Sequence, residues 1–227
     1  MKPNSILKVI ILCAAMFIGT NTFAQWQTGI KTGVNITAPD RSQAGRVDEI
    51  YSAGTGWIAG ATVQYNFLEW LALRTEIDVT DRTHRMDRNI RYIDPVYTVY
   101  HNTYLMVPVM ADFSFGGRKV RGHLYAGGFA GYWLTGNREG TTFWMTDFNV
   151  YFSPFNEKIE FTDEDNRFTA GLTAGAGLSY NFIGSWGLGL GAMYFHDLAS
   201  YHNSSPHISD PRYLSSISIT LGISYKF

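Results

Sequence analysis

The sequence predicts an all-β fold: an eight-stranded antiparallel up-and-down transmembrane β-barrel with short turns at one end and long loops at the other. Three observations carry this prediction. Eight segments alternate between apolar residues and polar or small ones, their connections alternate between short and long, and the last alternating strand ends on an aromatic residue. A strand with lipid on one side and a polar interior on the other has this period of two.

The eight segments can be followed in order along the chain. They cover about residues 27–37, 55–66, 70–80, 102–113, 120–134, 167–180, 186–197 and 216–227. In the last one, the odd positions from Ile217 to Phe227 are all apolar and the even positions are all small or polar. Pro108 removes a ladder donor from the fourth, which predicts a bulge or a locally unpaired position there.

The connections predict how the barrel is oriented. The short ones are 67–69, 114–119 and 181–185, and the long ones are 38–54, 81–101, 135–166 and 198–212. In transmembrane barrels short turns are periplasmic and long loops extracellular, so both chain ends should face the periplasm. A soluble eight-stranded barrel would reverse the two faces and enclose large aromatics such as Trp57 and Trp186, which fits less well.

The N-terminus predicts a cleaved signal peptide, residues 1–24, before a barrel domain, residues 25–227. Lys2 and Lys8 precede an apolar core, residues 9–18, which is followed by a small-x-small site ending at Ala24. The core is shorter than the about 20 residues that a membrane-spanning helix needs. It holds Cys13, the chain's one cysteine, so disulfides, thiol catalysis and cysteine-based zinc sites are excluded from the mature protein.

The charge balance excludes a nucleic-acid partner. The chain has 18 Lys and Arg against 19 Asp and Glu, and removal of Lys2 and Lys8 leaves 16 against 19. No basic patch emerges from this balance, whereas nucleic-acid binding needs one.

Several short motifs resemble the PorT-type outer-membrane β-barrel proteins of Bacteroidetes, which are OmpA/OmpX-like in architecture. They are the stretches 29–35, 104–109, 125–128, 174–178 and 224–227. The resemblance implies a Gram-negative outer-membrane barrel without cofactors or catalytic residues, surrounded by lipid and lipopolysaccharide. Its namesake is linked to a protein-secretion system, which implies an envelope protein partner. Tyr225 and Phe227 resemble the signal that the barrel-assembly machinery recognises.

The predicted interior carries a nearly balanced set of charges. Its members are Lys31, Arg74, Glu76, Asp78, Asp112, Arg121, His123, Arg167, Asp197 and Lys226. The interior of an eight-stranded barrel is just wide enough to be filled by side chains, and buried charges must be paired. We therefore expect a polar plug. The alternative is a narrow polar conduit or small-ligand pocket gated by Arg74, Glu76 and Asp78.

The third long loop is unusually aromatic. It contains Phe143, Trp144, Phe148, Tyr151, Phe152, Phe155 and Phe161. One interpretation is that the flanking strands extend as a hairpin that packs its own aromatics. The other is a surface for a protein partner, glycan or lipopolysaccharide.

Charged and polar loop residues suggest three weaker hypotheses. Arg82, Arg85, Arg88 and Arg91 could bind lipid A phosphates, or pair with neighbouring aspartates. A loop metal site would use His202, His207 and Asp210, although solvated polar residues explain these equally well. A set similar to that of lipid-modifying acyltransferases would comprise His101, Asp197, Ser200 and His202.

The sequence thus favours a non-enzymatic outer-membrane barrel with a structural or interaction role through its long loops, within an envelope or secretion assembly. A narrow channel or small-ligand transport barrel is the first alternative. A lipid-modifying enzyme is the second.

Overall fold

The computed structural model describes residues 26–39, 49–88, 96–146, 149–162, 165–200 and 213–227. The signal peptide predicted at residues 1–24 lies outside this range. The strands are β1 (Trp26–Pro39), β2 (Glu49–Asn66), β3 (Leu71–Asp81), β4 (His84–Arg88), β5 (Val96–Gly116), β6 (Val120–Met145), β7 (Val150–Lys158), β8 (Phe168–Ile183), β9 (Trp186–Asp197) and β10 (Leu214–Lys226). Among the described residues, no helix has the length and hydropathy needed to cross a membrane.

The strands close into an antiparallel ring, which confirms the predicted fold class. β3 and β4 both pair with β2 on one side and with β5 on the other. They lie end to end and therefore count as one strand position in the ring. β7 pairs with the far part of β6 and lies outside the ring. Eight ring positions remain, in the order β1, β2, β3/β4, β5, β6, β8, β9 and β10. The ring closes where β1 pairs with β10, from Gln27 opposite Lys226 to Pro39 opposite Leu214.

Three segments predicted as loops continue as strands. β2 starts at Glu49 rather than near 55, β5 starts at Val96 rather than near 102, and β6 runs to Met145 rather than 134. The predicted loops 81–101 and 135–166 also contain β4 and β7. Neighbouring backbones in these segments hydrogen-bond to one another, so the ladder continues past the ring.

Within the described residues, the extensions form a sheet on one side of the ring. We call it the projecting sheet: residues 49–53, 84–88, 96–102, 135–145 and 150–158, in this spatial order. On the other side β8, β9 and β10 have their ends at Phe168, Asp197 and Leu214. The strands of one wall therefore extend much further than the strands of the other. We call this the long-loop end, and the opposite end, with turns 67–70, 117–119 and 184–185, the short-turn end.

Pro108 lies where the sequence predicted an irregularity. In the β3–β5 ladder, Thr75 pairs with Val109 and Asp78 with Met106, but Pro108 has no partner in β3. A true register shift occurs nearby in the β5–β6 ladder, between Thr103 and Tyr104. Here β6 gains one residue, Leu134, so the faces of β6 are exchanged beyond this point.

The outer surface of the ring is apolar and exposed. Ile30, Leu73, Ile77, Leu124, Leu172, Leu190 and Leu221 are examples, each between 45% and 65% accessible. Aromatic side chains gather around the short-turn end: Trp26, Tyr65, Trp70, Trp186, Tyr225 and Phe227. Several of these rings are in edge-to-face contact: the ring centres of Trp186 and Tyr225 are 5.1 Å apart, and those of Tyr225 and Phe227 are also 5.1 Å apart.

Candidate functional site

A buried charge cluster occupies one side of the lumen. The Lys31 ammonium on β1 contacts the Glu76 carboxylate and lies 3.0 Å from Asp78 Oδ2, both on β3. Glu76 also accepts from Arg74, with Nη2 and Oε1 2.7 Å apart. The lysine reaches over the intervening strand because Gly60 lies between Lys31 and Asp78 in the ladder. A side chain at Gly60 would collide with the Asp78 carboxylate.

A second polar chain crosses three neighbouring strands nearer the short-turn end. His123 Nδ1 on β6 lies 3.0 Å from Asp112 Oδ1 on β5. His123 Nε2 lies 2.8 Å from Ser179 Oγ on β8. Asp112 is fully buried. The two predicted plug residues, Asp112 and His123, are thus brought together, with a serine that the sequence analysis did not single out.

The third polar contact is an ion pair that the sequence analysis missed. Arg82, predicted to lie in a charged loop, is fully buried in the lumen, so that prediction is wrong. It donates two hydrogen bonds to the Asp197 carboxylate, from Nη1 to Oδ2 at 2.8 Å and from Nη2 to Oδ1 at 3.0 Å. Its Nε donates to Ser216 Oγ at 3.1 Å.

The remaining interior is more apolar than predicted. A buried cluster contains Tyr104, Met106, Met110, Tyr125, Phe129, Trp133, Met193 and Phe195. The charged groups pack against it, because the Arg74 guanidinium lies 4.9 Å from the Tyr125 ring centre and Arg82 lies 5.4 Å from that of Tyr104. Phe161 packs against this cluster near the long-loop end. Side chains therefore fill the middle of the lumen.

Below this cluster lies a cavity of about 60 Å³. Its polar lining includes Gln27, Lys31, Gln64, Arg74, His123, Ser179 and Ser224. Gly189, Gly191 and Gly222 also line it, on β9 and β10. The cavity exists because these strands present glycines to the lumen.

Two predicted plug residues lie away from the charge cluster. Arg121 is at the short-turn rim, where it donates to the Glu69 carbonyl and to Ser114 Oγ. Arg167 is at the long-loop rim, where Nε donates to the Trp133 carbonyl at 3.1 Å. Its guanidinium also lies 4.1 Å from the Phe161 ring centre. Arg121 is the second residue of β6 and Arg167 immediately precedes β8, so neither reaches the middle of the lumen.

The aromatic segment forms the tip of the projecting sheet. β6 and β7 make a hairpin in which Phe143 faces Phe152 and Trp144 faces Tyr151. The rings of Trp144 and Tyr151 stack 4.3 Å apart. Phe155 lies lower, opposite Gly140, and Phe148 lies outside the described residues. Both interpretations of this segment have support, since the strands do extend as a hairpin while Trp144 is still 54% exposed.

Of the predicted loop arginines, Arg85 is paired within the projecting sheet. Arg85 donates to Asp87, with Nη2 and Oδ1 2.7 Å apart, and lies over the Tyr97 ring at 4.4 Å. The hydrogen bond to Asp87 raises the pKa of Arg85 above its usual value. Arg88 lies opposite Glu49 in the β2–β4 ladder. These contacts favour the self-paired alternative for Arg85; Arg91 lies outside the described residues.

The acyltransferase-like set is not assembled by the described residues. His101 faces outward, where Nδ1 lies 3.1 Å from Thr83 Oγ1 and 3.4 Å from Asp81 Oδ2. Asp197 faces the lumen and pairs with Arg82. The Ser200 backbone carbonyl accepts a hydrogen bond from the Asn166 side-chain amide, with Nδ2 and O 2.9 Å apart. His202 and the hypothetical metal ligands His207 and Asp210 lie outside the described residues.

Comparisons with known proteins agree with this architecture. The family model described as "Outer membrane protein beta-barrel domain" matches residues 22–203. Similar solved structures include OprG of Pseudomonas aeruginosa, with 10% identity, TM-score 0.50 and coverage of 89% of this chain and 96% of OprG. The outer-membrane protease OmpT of Escherichia coli has 9% identity, TM-score 0.52 and coverage of 92% and 99%.

A third similar structure is Ail, the attachment invasion locus protein of Yersinia pestis, with 11% identity, TM-score 0.38 and coverage of 88% of this chain and 99% of Ail. At such low identities these likenesses describe the fold alone. The comparison with curated proteins gives no match.

Proposed function

Since this chain belongs to the outer membrane protein β-barrel domain family, we propose that it is an outer-membrane barrel that binds an envelope partner through its projecting sheet. The family supports the outer-membrane location. The partner and the route of binding are inferred from the shape and chemistry of the long-loop end.

The exposed apolar surface supports insertion of the ring into the membrane. On β2, the outward residues Trp57 and Tyr65 are both aromatic and are eight residues apart. That spacing is about 26 Å along a strand at about 3.3 Å per residue. At a tilt of about 40° it is about 20 Å in height, close to the apolar band of about 25 Å in such barrels. The short-turn end then faces the periplasm.

The observation that carries the interaction role is the apolar tip of the β6–β7 hairpin. Trp144 and Tyr151 lie on one face, and Phe143, Phe152 and Met145 lie on the other. Met145 is 63% exposed and Phe152 43%. Stacking of Trp144 on Tyr151 accounts for one face only, and the exposed apolar side chains on both faces suit this tip to a partner surface.

The outer edge of β7 is protected against indiscriminate strand pairing. Pro154, in the middle of β7, has no N–H to donate, and Glu157 and Lys158 place charges at one end. Proline and charged residues are the usual protection of edge strands. Recognition therefore rests on side chains at the tip rather than on strand addition.

The kind of partner follows from the resemblance of the short motifs to PorT-type barrels. We propose a protein of the envelope, in an assembly such as a secretion system, with lipopolysaccharide as the surrounding lipid. A channel role has less support, because the Met and aromatic cluster fills the lumen. A lipid-modifying role has less support, because His101 and Asp197 lie on opposite faces of the wall.

Photocrosslinking in native outer membranes tests the proposal. A photoreactive phenylalanine analogue would be placed at Tyr151 on the tip, and in a second strain at Arg118 in a short turn. We expect a discrete protein adduct from position 151 and a different pattern from position 118. Crosslinks from position 151 to lipopolysaccharide alone would contradict a protein partner.

A shortened hairpin provides the matched loss-of-function variant. Gly140 and Phe155 are directly opposite, so residues 141–154 can be replaced by an Asn-Gly turn, the favoured two-residue connection. We expect the barrel to fold and the partner to be lost from co-purification. The control is the R138A/E157A double variant, which removes an exposed pair at the hairpin base and should keep the partner.

A further inference from the structure

The Asp112–His123–Ser179 chain lies on the wall of the lumen cavity, and we propose that it is a hydrolytic site with Ser179 as nucleophile for small activated acyl compounds. This activity is separate from the interaction role of the projecting sheet. It rests on contact geometry, on the backbone register that creates the contacts, and on the space beside the serine.

The contacts have the order that nucleophile activation requires. The serine oxygen is 2.8 Å from His123 Nε2. The other ring nitrogen, Nδ1, is 3.0 Å and 3.1 Å from the two oxygens of Asp112. A base bonded to the nucleophile through one nitrogen and oriented by a carboxylate through the other is the arrangement of serine hydrolases on several unrelated folds.

The strand register holds the three side chains in place. Asp112 is opposite Tyr125 in β6, two residues from His123. Ser179 is opposite Arg121, again two residues from His123. All three therefore face the lumen on adjacent strands with the same diagonal offset. Diagonal neighbours of this kind are within reach of long side chains.

Space for a substrate lies next to the serine. Ser179 is opposite Gly189 in the β8–β9 ladder. A Cβ added to Gly189 would meet nothing closer than 4.0 Å. A glycine inside a strand weakens it and often marks the close approach of a ligand. The cavity of about 60 Å³ would hold an acetyl-sized group, because a water needs only about 10–15 Å³ of such volume.

The cavity is reached from the short-turn end. His123 and Arg74 keep 12% and 20% of their side chains exposed, whereas the cluster around Met110 and Phe129 closes the lumen above them. In the proposed orientation the substrate therefore comes from the periplasm. The backbone N–H groups here are used in ladders, so donors for an oxyanion are the cavity side chains Arg74, Lys31 and Gln64.

The reaction with an acetyl ester is a two-step hydrolysis. Ser179 Oγ forms a bond to the carbonyl carbon while His123 Nε2 takes its proton, and the ester C–O bond breaks as the alcohol leaves with that proton. Water then attacks the acyl-serine, loses a proton to Nε2, and Ser179 leaves as the hydroxyl when the proton returns. Acetate and the alcohol are the products, and no oxidant or metal is consumed.

A small alkyl fluorophosphonate tests the nucleophile in the purified barrel in detergent. Ser179 Oγ would bond to phosphorus as the P–F bond breaks, releasing fluoride and passing its proton to His123. We expect a single adduct mapped to Ser179, absent from S179A. H123Q should slow labelling at least about hundredfold, the usual worth of a positioned general base.

Two variants separate the site from general serine reactivity. Ser215 is also hydrogen-bonded to a histidine, with its Oγ 3.1 Å from His196 Nδ1, but it does not line the cavity, so S215A should be labelled like the wild type. Gly189→Leu fills the space beside Ser179 while all three residues of the chain are kept, and should slow labelling at least about tenfold. Folding of each variant is checked by the heat-dependent shift in gel mobility.

Asp112 acts through His123 as a positioning residue, so its role is tested by comparing the labelling rate of Ser179 in two Asp112 variants. D112N keeps the shape but should slow labelling of Ser179 by about 10²–10⁴-fold, because the imidazole is held in the wrong tautomer. D112E should recover part of the rate. Wild-type labelling no faster than that of S179A, or adducts spread over several serines, would overturn the proposal and leave the chain as a bridge between strands.

Discussion

Arg82 and Asp197 form a bidentate ion pair across the full width of the lumen. Arg82 lies at the break between β3 and β4, and Asp197 is the last residue of β9. In the ring of eight positions, β3/β4 and β9 are directly opposite. The Arg82 side chain extends from the break into the lumen. The pair therefore links two opposite walls that have no backbone hydrogen bonds to each other.

Loss of this tie should destabilise the barrel strongly. Arg82→Met leaves Asp197 buried without its cation, which typically costs about 3–5 kcal/mol. Urea unfolding in lipid vesicles, followed by tryptophan fluorescence, measures the change. Arg138→Met is the control, since the Arg138–Glu157 pair is about half exposed and should contribute less than about 1 kcal/mol. Equal effects of the two changes would contradict a structural role for the tie.

Glu76→Ala should lower stability without opening a pore. The change leaves the Lys31 and Arg74 charges without their shared carboxylate, at a cost of several kcal/mol. The apolar cluster above them remains in place, so ions still have no path. Thermal unfolding measures the first effect and planar-bilayer recording the second. A large conductance step in the variant would show that the charge cluster is a gate.

Two glycines should respond oppositely to alanine. A Cβ at Gly33 would fall onto the Ile219 carbonyl oxygen, where backbone has to move, so Gly33→Ala should cost about 1–3 kcal/mol. Gly189 has open space, so Gly189→Ala should gain about 0.4–1 kcal/mol by restricting the unfolded chain. The free energies of unfolding of the two variants, compared under one condition, decide this.

Phe227→Ala should impair assembly in the cell more than folding in the test tube. The Phe227 ring adds an edge contact to Tyr225 at the end of the ring but lies outside the lumen and its charge clusters. We expect reduced amounts in the outer membrane and near-normal refolding into detergent. The matched control is Phe115→Ala, an exposed aromatic at the same end. Equal losses in both variants would contradict a special role for the terminal residue.

The sequence predicted the ring well because lipid-facing strands need one apolar face. The same rule explains why the projecting sheet was missed. Above the ring no lipid covers either face, so Arg138, Glu139, Thr141 and Thr142 show no one-sided apolar pattern. The extra residue at the Thr103/Tyr104 register shift also exchanges the faces of β6 there. A strand with neither lipid nor a packed core on one face shows no alternation of apolar and polar residues that a sequence could reveal.

The candidate sites were harder to predict because they depend on ring closure. The inward positions of Lys31, Glu76, Asp112 and His123 follow from alternation along each strand. Their pairing does not, and the partner of Arg82 is 115 positions away in sequence. Ser179 also faces inward by alternation. The sequence of β8 does not show that His123, which belongs to β6, lies beside it. Pairings across a lumen require the closed register.

The unequal height of the barrel wall gives the molecule a front and a back within the plane of the membrane. In the proposed membrane arrangement, a neighbour on the β8–β9–β10 side meets strands that end at the ring and outward-facing leucines. One arriving at the β5–β6 side meets a wall that rises above the lipid and carries Trp144 and Tyr151 at its crest. With the partner surface proposed above, contacts would be directional, and copies embedded in one bilayer would arrange their neighbours asymmetrically around them.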